Sequence, residues 1–168
     1  MYSIHATKKL LDRLKTPVAP PVVASTALGN WYATAMLWRP QVAMFLNETT
    51  FFPVFVALAP ASSLLRRFPA AVGNALDSMG IDPRFVAAEV EAMSEGAVAK
   101  TADRRVLGVM NELVFQAEVR AAHDFDVSDL TALSIDVARV LLTPLFKERG
   151  GHGSPDATVK AFITELMA

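Results

Sequence analysis

The 168-residue chain has no cysteine. That absence removes disulfides, thiolate metal sites and cysteine nucleophiles together, and it suits a reducing compartment. Long apolar runs are missing too. The most hydrophobic stretch, FFPVFVALAPA, holds two prolines and falls well short of the ~20 residues of a membrane span. The start, MYSIHATKKLLDRLK, lacks the apolar segment of about 7–15 residues that a secretory signal carries. Nor does one sign of charge dominate: 16 Lys plus Arg stand against 17 Asp plus Glu, so there is no general pull toward nucleic acid or anionic lipid. The expectation is a cytoplasmic protein with no membrane partner. A nucleic-acid role, which is disfavoured, would rest on Lys8, Lys9, Arg13 and Lys15 of the first predicted helix.

Signatures of chemistry are equally sparse. His5, His123 and His152 lie far apart, without the HxxxH or HxH spacing of a shared metal, so no metal is expected. GGHGS near residue 150 lacks GxxxxGK[ST] and reads as part of a flexible Gly-rich loop over 147–154. No Ser-His-Asp, GxSxG or paired-carboxylate pattern stands out, and no cofactor is implied.

What is present is a hydrophobic content of 52% in a length that suits a single domain spanning 1–168. YSIHA reads as a short strand, with Thr7 placed to cap the helical run KKLLDRLK. Residues 16–30, TPVAPPVVASTALGN, carry three prolines and no helical period, so they form an extended connection. WYATAMLW, QVAMFLNE and TFFPVFVAL predict three strands in a meander, with Pro53 at an edge or bulge. Helices follow over ASSLLRRFPAAVGNALDSMG, ending at Gly80, and over PRFVAAEVEAM, opened by Asp82-Pro83. AVAKT suggests one more strand. A helix from Ser128 to before Pro144 would bury Leu130, Leu133, Val137, Val140 and Leu141, and a last one would begin at Ser154-Pro155. The expected class is α+β: a small antiparallel sheet packed against several helices.

KTADRRVLGVMNEL, residues 100–113, is the most informative segment. At ~100° per residue, Val106, Leu107, Met110, Leu113, Val114, Ala117 and Ala121 share one face, the predicted core. Arg104, Gly108, Asn111 and Phe115 form a second stripe beside it. A mid-helix glycine costs about 1 kcal/mol relative to alanine, so it needs a reason. Close packing against another backbone is the favoured one, in which case Gly108→Leu would destabilise the fold. A bound ligand is the other, with the Arg104 guanidinium and the Asn111 amide flanking the gap. Thr101 or Asp103 can cap this helix, and Thr101 with Arg104 could hold an anion at its N-terminus.

The pieces HATKKLLDRL, LGNWYATAMLW, FLNETTFFPVFV and KTADRRVLGVMNEL resemble the uncharacterised bacterial family DUF6933, a domain of unknown function. The resemblance covers roughly residues 4–115 and is most specific in its last element. It implies a common fold and a shared reason for the last motif, and no activity. Thr7, Lys8, Lys9, Gly29, Trp31, Asn47, Glu48, Thr101, Arg104, Gly108, Met110 and Asn111 carry over by position, with roles unassigned.

Two functions are open. In the preferred one the chain is a non-catalytic binding or regulatory module, its apolar content serving a protein partner or a homo-oligomer. In the other it is a small enzyme acting on an anionic substrate, with Arg104 as clamp, Asn111 orienting, Thr101 and Gly108 completing the site, and Glu48 or His5 transferring the proton. Asn47-Glu48-Thr49-Thr50 also has a simpler reading as turn chemistry, with Glu48 a structural partner of Arg104 or Lys8. Convergence of Arg104, Asn111, Glu48 and His5 on one pocket would favour the enzyme.

Overall fold

A computed structural model describes residues 1–123, 126, 128–148 and 153–168. Most of the Gly-rich loop, with His152, lies outside the described residues. The strands are β1 (Tyr2–Ala6), β2 (Trp31–Met36), β3 (Val42–Asn47), β4 (Pro53–Ala57) and β5 (Gly96–Lys100). They form one sheet in the order β4-β3-β2-β1-β5. The antiparallel meander β2-β3-β4 is the expected one, with Trp31 opposite Asn47 and Val42 opposite Ala57. β1, however, is parallel to both of its neighbours, so the sheet is mixed rather than antiparallel throughout. The reason is the connection: helix α1 (Lys8–Leu14) and the Pro-rich segment together make a crossover long enough to return the chain to the same end of the sheet. Consistent with a parallel strand in the middle, every side chain of β1 is buried.

Alternation along the strands feeds two cores. On one face Tyr2, Ile4, Trp31, Phe45 and Val54 pack with α1, α2 (Leu64–Ser78), α3 (Pro83–Ala92) and α7 (Pro155–Met167). On the other, Tyr32, Met36, Met44 and Phe55 meet α4 (Arg104–His123), α5 (Leu130–Val137) and α6 (Thr143–Glu148). The class is α+β, a sheet packed against helices. No helix among the described residues is long and apolar enough to cross a membrane.

Both edge strands make contacts outside the sheet, which blunts the unpaired edge groups that invite strand addition. Pro53 opens the edge strand β4, where a missing N–H is tolerated, and the Phe55 amide donates to Ser134 Oγ of α5 at 2.9 Å. At the other edge the Pro-rich segment docks: Ala19 N donates to Val98 O of β5 at 2.8 Å, and farther along Val22 N donates to Ser3 Oγ of the inner strand β1 at 2.8 Å. Its far end is held by Glu89, which accepts from the amides of Ala27 at 2.8 Å and Leu28 at 3.0 Å. Burial pushes the Glu89 carboxyl above its usual range, and these two donors only partly offset that.

The predicted helix from 128 to 143 is split. α5 ends at Val137, and α6 restarts at Thr143 with Pro144 in its first turn, where a proline fits. Leu141 consequently lies in a connection and is 69% exposed rather than buried.

Candidate functional site

The carboxyl ends of β1, β2 and β5 share one edge of the sheet, with Ala6 opposite Lys100. From there the chain leaves β1 into α1 on one face and β5 into α4 on the other. Diverging exits from adjacent parallel strands mark the end of the sheet where ligands of open α/β sheets bind, and near that end of β1 lies His5. It is 6% exposed, and its Nδ1 lies 2.9 Å from Lys100 O, a contact that needs the proton on Nδ1. The ring stacks on Tyr32 with centroids 4.6 Å apart, and the Tyr32 hydroxyl accepts from Asp103 N at 3.1 Å. Asp103 Oδ1 in turn accepts from Arg105 N at 2.8 Å. The start of α4 is therefore capped by its own carboxylate, in the place an anion held by Thr101 and Arg104 would need.

At this end of the sheet, α1, the end of β2 and α4 enclose a cleft of about 250 Å³ lined by Lys9, residues 34–38, Asn111, Val114 and Glu118. Thr7 makes no capping bond; its hydroxyl sits 2.9 Å from that of Thr34 instead, steadying the cleft wall. Among the described residues neither Lys9 nor Glu118 has an ion-pair partner. The cleft thus presents a cation, an anion, an amide and a hydroxyl against the apolar side of Trp38 and Val114.

Gly108 is not a close-packing position. It is exposed, and a Cβ built there would meet nothing within 4 Å. Arg104, Gly108, Asn111 and Phe115 are all exposed, and they form a ridge opposite the core rather than a stripe beside it. The buried residues of α4 are Val106, Val109, Met110, Leu113 and Ala117. Val109, outside the predicted face, is drawn inward beside Leu142, and Leu107, Val114 and Ala121 are only half-buried. Arg104 and Gly108 line a second, more open groove with Glu112 and residues 141–144, on the flank of α4 away from the cleft.

Glu48 is elsewhere. It follows β3, and its amide donates to Asn30 O at 3.2 Å, at the amino-terminal edge of β2. A strand length of roughly 17–20 Å separates that edge from Arg104. The neighbouring Asn47 is fully buried and builds the turn: its Oδ1 accepts from Thr49 N at 3.1 Å, Thr50 N at 2.9 Å and Thr50 Oγ1 at 2.9 Å, while its Nδ2 donates to Leu28 O at 2.8 Å. Arg104, Asn111, Glu48 and His5 accordingly face different places. Lys9, Thr34, Trp38 and Glu118 complete the cleft and were not singled out as its residues from sequence. Glu118 was within reach, since it lies seven residues after Asn111 on the same helix face; Thr34 and Trp38 carry no local signal. No group of three or more potential ligand residues could hold a metal ion among the described residues.

No curated protein and no solved structure matches the chain. The model of one family, described as a domain of unknown function (DUF6933), matches residues 3–158. That span includes every residue of the cleft and the whole sheet except Tyr2, and the chain belongs to this family.

Proposed function

We propose that the protein is a non-catalytic binding module whose cleft between α1, β2 and α4 takes a small zwitterion with an apolar part, the free amino acids being the simplest such class. One observation carries this: Lys9 and Glu118, opposite in charge and each without an ion-pair partner, border the same cleft. Lys9 suits a carboxylate and Glu118 an ammonium group. Asn111 can donate and accept, Thr34 adds a hydroxyl, and Trp38 with Val114 offers apolar contact. The volume, about 250 Å³, sits just below the ~300 Å³ at which small-molecule sites begin, so the ligand is small.

An enzyme working through Arg104, Asn111 and Glu48 has less support, because these side chains do not meet. A cysteine-free chain suits a bacterial cytoplasm. The test is a thermal-shift screen of amino acids and related zwitterions, followed by calorimetry. A ligand that raises the melting temperature of the wild type and loses its effect in both Lys9→Ala and Asn111→Ala supports the proposal. Binding by none of them at millimolar concentration rejects it.

A further inference from the structure

Gly108 carries the cost of a mid-helix glycine, yet nothing in its own chain needs the gap. Its surroundings are open, with Arg104, Arg105 and Glu112 beside it and exposed apolar side chains farther along the face. Phe115 is 57% exposed, Val119 40%, Leu37 57% and Leu141 69%. Leu37 borders α4 at the cleft and Leu141 at the opposite groove. The outer face of this helix therefore presents a knob, Phe115, and a hole, Gly108, two turns apart along one line.

We infer that this face binds the same face of a second copy, with the two α4 helices antiparallel about a two-fold axis between residues 111 and 112. Gly108 and Phe115 are equidistant from that point. The axis therefore places each Phe115 over the Gly108 of the other copy, and a self-complementary patch is what a two-fold contact requires. The same axis brings Arg104 of one copy beside Glu118 of the other, on the same flank of the contact. Neither has an ion-pair partner within its own chain among the described residues. A parallel pairing would oppose Phe115 to Phe115 and Arg104 to Arg104. The helix has 20 residues, so its strip of about 30 Å by 10 Å is smaller than the ~800 Å² per partner of a standard interface. Leu37 and Leu141 extend it on both sides, and an interface of this size makes a weak dimer.

Sedimentation velocity from low-micromolar to near-millimolar protein tests the inference. The wild type should pass from monomer to dimer. Phe115→Asp should stay monomeric throughout with an unchanged circular-dichroism melt, because the residue is exposed. Arg104→Glu and Glu118→Arg should each weaken the dimer by roughly tenfold, and the double variant should recover it. A wild type that remains monomeric, a dimer indifferent to Phe115→Asp, or a double variant no better than the singles would overturn it. Glu118 lines the zwitterion cleft as well, so in the dimer Arg104 competes with the ligand for it; Phe115 lines neither groove, so a failure of Phe115→Asp leaves the zwitterion proposal standing.

Discussion

Replacing Gly108 by alanine should stabilise the protein. Alanine is favoured over glycine in a helix interior by about 0.8–1.0 kcal/mol, chiefly through the backbone entropy that glycine loses on folding. Nothing lies within 4 Å of the new Cβ, so no steric cost is subtracted. For a chain of this length each kcal/mol corresponds to a melting shift of roughly 2–4 °C, and the expected rise is of that size. Scanning calorimetry or fluorimetry at submicromolar protein keeps self-association out of the measurement. Gly108→Leu should also stabilise the monomer, since leucine is a good helix former, while its side chain fills the hole that receives Phe115. A melting temperature below that of the wild type for Gly108→Ala would refute the reasoning, because it would require a neighbour that the open surface does not contain.

Asn47→Ala removes five hydrogen bonds from a buried turn and should cost about 2–4 kcal/mol in urea unfolding; a loss below about 0.5 kcal/mol would show that the turn holds itself. Ser134→Ala leaves the edge amide of Phe55 without its acceptor, so a destabilisation of about 1–3 kcal/mol is expected, and a neutral result would contradict the role of this contact at the edge. Glu89 has a folded pKa raised above its unfolded value by burial. Its folded form binds more protons, so its contribution is fully present below the unfolded value and is lost as pH rises through the folded one. The stability of the wild type relative to Glu89→Gln should accordingly fall from about pH 4 toward neutrality, and a rise over that window would reverse the assignment.

The meander and the two helices around Gly80 could be read from local pattern, because alternation, proline placement and capping residues act within a few positions. The parallel placement of β1 could not. YSIHA carries no mark of its neighbours, and its pairing is decided by a crossover and by contacts nearly a hundred residues away. For α4 the period was visible, but its phase was not: Val109 looks no more inward than Val114 until α5 and α6 fix the helix's rotation. The same limit explains Gly108. A glycine announces that space is needed, yet only the packed fold shows that the space opens outward. Glu48 looked like a partner for Arg104 because both were charged, and the sheet puts them at opposite ends. The cleft itself is assembled from α1, β2 and α4, so its members share no spacing to detect.

The most direct test of the zwitterion site is a nuclear magnetic resonance titration of isotope-labelled protein with the ligand that emerges from the screen. The account predicts saturable shifts centred on Lys9, Thr34, Trp38, Asn111 and Glu118, abolished by Lys9→Ala together with Glu118→Gln. Saturable shifts that instead centre on the groove of Arg104 and Leu141, or on the turn at Glu48, would contradict it.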